Sequence, residues 1–66
     1  MVISRENTVI RDQEHLMDAE GASDIEPTEN AIRSLLAEEL WCATEIEIWF
    51  DTMQGFWRWN CNITPC

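Results

Sequence analysis

The last third of the chain alternates between apolar and polar positions. Residues 44–51 and residues 56–61 both show the two-residue period of a half-buried strand, and residues 52–55 lie between them. If these four residues form the loop, the register sets five pairs: Phe50 with Trp57, Ile48 with Trp59, and Ile46 with Cys61 on one face, and Trp49 with Arg58 and Glu47 with Asn60 on the other. A slip of one residue would separate the two apolar sets, so the pattern predicts this β-hairpin. It also places Arg58 opposite Trp49 as a cation–π pair.

Residues 6–20 follow a helical period. One arc of the helical wheel gathers Val9, Ile10, Gln13, Leu16 and Met17. Gly21 follows, where the end of a helix favours a residue with positive φ. These features predict a first amphipathic helix. The competing interpretation takes residues 8–10, or the first few residues of the chain, as a strand.

Residues 27–40 give the strongest helical pattern. One face gathers Ile32, Leu35, Leu36 and Leu40. Two beginnings are compatible with the sequence: Ser23 and Glu26 have the spacing of a capping box, or Pro27 occupies the first turn. Glu39 falls on the same face, and we expect the helix end to leave it in solvent, because an unpaired buried carboxylate is costly.

These elements predict an α+β fold: two amphipathic helices followed by a C-terminal antiparallel β-hairpin, in one small domain over residues 1–66. A chain of this length buries a thin core, and a two-stranded hairpin alone is marginal in water. We therefore expect a homodimer, or a fold stabilised by its partner.

Charge changes the picture most. Thirteen Asp and Glu stand against four Arg and no Lys, which gives a formal net charge of −9. Such a surface repels nucleic-acid phosphates and anionic lipids, so we expect neither nucleic acid nor membrane as a direct partner. It attracts basic surfaces through long-range steering. The alternative is that the charge only keeps a Trp-rich protein soluble.

Residues typical of catalysis are few. The sequence has one histidine and no phosphate-binding or nucleophile motif, so we expect no enzyme and no cofactor. His15 with Asp12 and Asp18 has helical spacing for three metal ligands, but it lacks a fourth. We interpret these three as part of a solvated face and expect no metal.

The three cysteines fit no zinc spacing. Neither a signal-like segment nor a membrane-length apolar run is present, so we expect a cytoplasmic protein whose thiols stay free. The alternatives are a Cys61–Cys66 clip and a bridge between subunits.

Two sets of residues are candidates for partner binding. The acidic set comprises Asp12, Glu14, Asp18, Glu20, Asp24, Glu26, Glu29, Glu38, Glu45 and Glu47. The aromatic set comprises Trp41 and Trp49, which the predicted elements direct away from the core, and Trp is enriched at interface hot spots.

We therefore expect an inhibitor or modulator that docks its acidic face on a basic, nucleic-acid-binding protein. Carboxylates spread along a helix can imitate the phosphates of a nucleic-acid strand. The small size and acidity are typical of virus-encoded mimics directed against host defence or transcription, although no motif carries that analogy; such a protein would act in the host cytoplasm. The alternative is a structural or regulatory adaptor that homo-oligomerises and binds through exposed Trp and the hairpin edge.

Overall fold

The computed structural model describes Ile3, residues 5–13 and residues 16–66. Its elements, in chain order, are a short 3-10 turn (Arg5–Asn7), β1 (Thr8–Gln13), β2 (Leu16–Ser23), α1 (Glu29–Ala37), β3 (Trp41–Asp51) and β4 (Phe56–Pro65). The four strands form one antiparallel sheet in the order β1-β2-β4-β3. The last strand of the chain therefore lies inside the sheet, and β1 and β3 form its edges.

The predicted order of two helices and a hairpin is wrong. Where the first helix was predicted, β1 pairs with β2 from Thr8–Gly21 to Gln13–Leu16. The predicted C-terminal hairpin would leave one edge of β4 with unpaired backbone N–H and C=O groups, and β2 pairs with that edge. Tertiary pairing thus overrides a helical period that the β-branched residues 8–10 already weaken.

Gly21 lies within β2 and is not the C-cap of a helix, contrary to the prediction. Its Cα pairs with that of Trp59 in β4, and Trp59 is wholly buried. A Cβ atom at Gly21 would lie 2.6 Å from Trp59 Cζ2, which is closer than carbon atoms can approach. The strand needs glycine here because the indole packs directly on the backbone.

Helix α1 is shorter than predicted at both ends. Thr28 caps it, since the Thr28 side chain accepts a hydrogen bond from the Ala31 N–H at 3.1 Å. Ser23 instead accepts a bond from the Ile25 N–H, and Pro27 precedes the cap, so neither predicted beginning is correct. Leu40 has a φ of 68° and is exposed, so it ends the helical path and does not extend its apolar face.

The predicted register of the C-terminal hairpin is confirmed from Glu47–Asn60 to Phe50–Trp57. In the turn, the Asp51 carboxylate accepts bonds from the N–H groups of Met53 and Gln54, and Gly55 has a φ of 78°. The simple pair of Ile46 with Cys61 is wrong, because a β-bulge interrupts β3 between Thr44 and Glu47.

The core lies between α1 and one face of the sheet, which we call the inner face. Its buried side chains are Ile32 and Leu36 from the helix, Ala19, Ala43, Trp59, Cys61 and Ile63 from the sheet, and Ile3. Arg33 also ties the helix to β3, since its Nη1 donates to the Ala43 carbonyl at 2.6 Å. Trp41 begins β3 and is half-buried against this core, so its predicted outward direction is wrong.

Two of the three cysteines form a disulfide. Cys42 of β3 is bonded to Cys66, just beyond β4, which contradicts both the expected free thiols and the alternative Cys61–Cys66 clip. Cys61 is a free thiol that is buried on the inner face of β4. Burial raises its pKa; the Arg33 guanidinium acts against this rise, and the Asp18 carboxylate adds to it.

Candidate functional site

The sheet face opposite α1, which we call the open face, carries most of the polar side chains of the central strands. Successive residues of a strand point to opposite faces, so the neighbours of the buried inner residues point away from the helix. The open face is formed by Val9 and Arg11 of β1, Asp18, Glu20 and Ala22 of β2, Phe56, Arg58, Asn60 and Asn62 of β4, and Thr44, Glu47, Trp49 and Asp51 of β3.

Carboxylates from β2 and β3 face each other across β4, the strand that lies between them and that we call the central strand. A depression of about 270 Å³, which we call the acidic depression, is lined by Asp18, Glu20, Glu45, Glu47, Asn60, Cys61 and Asn62. Because β2 and β3 are both neighbours of β4, their carboxylates face each other across two strand spacings, roughly 10 Å. The fold thus concentrates acidic groups that are far apart in the sequence.

The bulge in β3 brings Glu45 into this set. Glu45 has a φ of 52°, and its carboxylate accepts a hydrogen bond from the Asn62 side-chain amide. Two residues of β3, Glu45 and Ile46, therefore stand opposite Cys61 alone. This extra residue lets Ile46 pack against the core while Glu45 and Glu47 both line the acidic depression.

The other carboxylates of the acidic depression differ in their partners. Glu20 is ion-paired with Arg11, and both side chains are about half exposed. Asp18 Oδ1 is buried and has no hydrogen-bond partner. Within the described part of the chain, Glu47 forms no ion pair, and Arg11 is the one arginine paired with a carboxylate of this set. Negative charge is therefore in excess at the centre of the open face.

A second hollow adjoins the acidic depression. It has a volume of about 190 Å³ and is lined by Asn7, Val9, Glu20, Gly21, Ala22, Trp49, Arg58 and Trp59; we call it the Trp49 hollow. Val9 is 50% exposed and Trp49 is 40% exposed, so both offer apolar area to a ligand. Glu20 belongs to both depressions, which makes them one continuous surface.

The predicted cation–π pair of Trp49 and Arg58 is wrong, although the two residues are cross-strand neighbours. The Arg58 guanidinium lies 5.3 Å from the centre of the Phe56 ring, and its Nε is 3.2 Å from Asp51 Oδ2. That N–H is not aligned for a hydrogen bond, so the contact with Asp51 is an ion pair. Arg58 is thus held towards the β3–β4 turn, and among the described residues no arginine lies over the indole of Trp49.

The structure brings together five of the predicted binding residues and separates the rest. Asp18, Glu20, Glu45, Glu47 and Trp49 share the open face. Three other carboxylates are exposed along the connector and the first turn of α1: Asp24, Glu26 and Glu29. Glu38 pairs with Arg5 at 3.0 Å, and Asp12 is exposed in β1. Trp41 packs on the core, and Glu14 lies outside the described residues. The acidic and aromatic candidates therefore meet on one surface.

Sequence reasoning missed two apolar residues of this surface. Val9 was placed on the buried arc of a helix, and Ala22 was placed in a connector. The alternative interpretation of residues 8–10 as a strand could have identified Val9 as a surface residue, since alternation along a strand puts it on the face opposite Ile10.

Further comparisons add no functional assignment. No family model, no curated protein and no solved structure matches the chain. Among the described residues, no helix has the length and apolar character needed to cross a membrane. In the same part of the chain, no group of three or more His, Cys, Asp and Glu is placed to hold a metal ion; His15 of the metal set weighed above lies outside it.

Proposed function

We propose that the chain is a small acidic binding protein that inhibits or modulates a basic, nucleic-acid-binding protein by docking its open face on it. The observation that carries this proposal is the acidic depression, where four carboxylates from two strands flank the central strand. Only one arginine among the described residues neutralises any of them. A groove that binds phosphates offers the complementary charge.

The proposal differs from the sequence-based expectation in which residues carry it. A linear run of carboxylates along a helix is replaced by a cluster across three strands, because the first helix does not exist. Mimicry therefore rests on charge concentrated at one spot more than on a phosphate-like spacing. The carboxylates of the connector and of α1 add to long-range steering without belonging to the site.

A binding experiment with the immobilised protein tests this proposal. The protein is first used to retain basic proteins from a cell extract, and its binding to each purified candidate is then measured. We expect binding at about 0.15 M salt that is largely lost near 1 M, where the Debye length falls to about 3 Å. Duplex DNA or RNA should compete. Glu47→Gln should weaken binding by about threefold or more, whereas Glu26→Gln, which removes the same charge from the connector, should change it little.

Binding that is unchanged at high salt, and with which nucleic acid does not compete, would contradict the proposal. Such binding, if Trp49→Ala abolished it, would favour the alternative adaptor. One observation supports that alternative: β3 is an edge strand, and its Trp49 and Phe50 are 40% and 44% exposed. Homo-oligomerisation, a viral origin and action against host defence stay predictions.

The cytoplasmic location also stays a prediction, and one of its consequences is contradicted. The free thiols expected from that location are not all present, because Cys42 and Cys66 are joined. Structural disulfides persist mainly in oxidising compartments.

A further inference from the structure

The two depressions of the open face lie at different heights along the central strand. Arg58 and Ala22 pair in one row of the sheet, and Asn60 and Glu20 pair in the row two residues further along. Rows two residues apart in a strand are separated by about 6.6–6.8 Å. The Trp49 hollow therefore adjoins the acidic depression at the spacing of alternate residues in an extended chain.

The Trp49 hollow is suited to an apolar side chain. The ion pair with Asp51 and the Phe56 ring hold the guanidinium of Arg58 away from Trp49. Asn7, Glu20 and Arg58 also line the hollow, and its apolar walls are Val9, Ala22 and the half-exposed indole of Trp49. Covering these apolar groups would remove exposed hydrophobic area from water.

The acidic depression is suited to a basic side chain. Besides its excess of carboxylates, it contains Asp18 Oδ1, a buried acceptor without a hydrogen-bond partner. The neighbouring Asn62 amide is already engaged by Glu45. Asp18 Oδ1 itself is closed to solvent, so the attraction of a lysine or arginine side chain comes from the excess negative charge of the four carboxylates.

We infer that the open face binds an extended segment of its partner that presents a basic side chain to the acidic depression and an apolar or aromatic side chain, two residues away, to the Trp49 hollow. Side chains at positions i and i+2 of an extended chain point to the same side with the matching separation. The inference rests on the proposed function and adds to it a sequence requirement on the partner, which net charge alone would not impose.

Titration of the intact protein with three synthetic peptides, each with the same Gly and Ser flanks, tests the inference by NMR. The peptides contain Lys-Ser-Leu, Lys-Leu-Ser or Lys-Ser-Ser at their centre. We expect Lys-Ser-Leu to bind about fivefold more tightly than the other two, because only its leucine reaches the Trp49 hollow together with the lysine in the acidic depression. The resonances of Val9, Ala22 and Trp49 should shift with that peptide alone.

Variants of the hollow separate its contribution from that of charge. Trp49→Ala, and independently the isosteric Val9→Thr, should remove most of the advantage of Lys-Ser-Leu over Lys-Ser-Ser. Met53→Ala is the control, since Met53 is 94% exposed in the β3–β4 turn and lines neither depression.

Two results would overturn the inference. Equal affinity of the three peptides, with salt-sensitive binding retained, would refute the i, i+2 requirement and leave the proposed function standing. If none of the peptides bound, and Glu47→Gln had no effect on any basic protein, both would be refuted.

Discussion

At the scale of the residue, the contact between Gly21 and Trp59 is the tightest constraint on the sheet. Trp59 is the largest wholly buried side chain, and its ring lies where a side chain at position 21 would begin. Its indole Nε1 is buried without a hydrogen-bond partner, so packing, not polar pairing, holds the ring in place. Because Gly21 of β2 has no side chain, the indole of Trp59 has room to pack in the core.

Gly21→Ala should lower the free energy of unfolding by about 1–3 kcal/mol, because the new methyl group overpacks against the indole. Chemical denaturation measures the loss. In a Trp59→Phe background the same substitution should cost less, since the benzene ring lacks the atoms that the methyl group would meet. Strictly additive effects of the two substitutions would contradict this account.

At the scale of the element, α1 is too short to be stable alone and depends on its cap and its packing. It has nine residues, whereas isolated helices need roughly 12–15 to be even marginal in water. Ile32 and Leu36, one helical turn apart, are both buried against the sheet. Thr28 supplies the hydrogen bond that the first turn cannot make for itself.

Thr28→Ala should therefore cost about 1 kcal/mol of stability, and Thr28→Ser should cost much less because it keeps the hydroxyl acceptor. Thermal or urea unfolding of the two variants provides the comparison. Thr52→Ala, in the exposed β3–β4 turn, serves as the control substitution. An equal loss in the alanine and serine variants would show that the cap is not the cause.

At the scale of the whole molecule, the Cys42–Cys66 disulfide joins the end of the chain to the beginning of β3. It spans 24 residues of sequence, and that span includes the C-terminal hairpin with the central strand β4. A disulfide that closes a loop of this length substantially restricts the conformations of the unfolded chain. A core to which the described residues contribute eight buried hydrophobic side chains gains most from such help.

Reduction of this disulfide should lower the free energy of unfolding by about 3 kcal/mol. Denaturant unfolding with and without a dithiol reductant measures the change. A Cys42→Ser, Cys66→Ser double variant should unfold like the reduced protein and should not respond to reductant. A response that persisted in the double variant would place the redox effect elsewhere, with Cys61 as the remaining thiol.

The features that are predicted correctly from the residues alone are local. Strict alternation with a four-residue loop predicted the register of the C-terminal hairpin, because a one-residue slip would bury polar side chains. The positions of Ile32 and Leu36 on one face of a helical wheel predicted the second helix, because residues four apart lie on the same side of a helix. The excess of carboxylates was fixed by composition alone.

How these parts combine depends on contacts between residues that are far apart in the sequence. Residues 6–20 satisfy a helical period, yet residues 8–13 and 16–20 lie in strands because the second edge of β4 needs a partner, and no local pattern carries that information. The disulfide likewise depends on which cysteines the sheet brings together. The candidate site has the same origin: Asp18, Glu47 and Trp49 are distant in sequence and meet because β2 and β3 both flank β4.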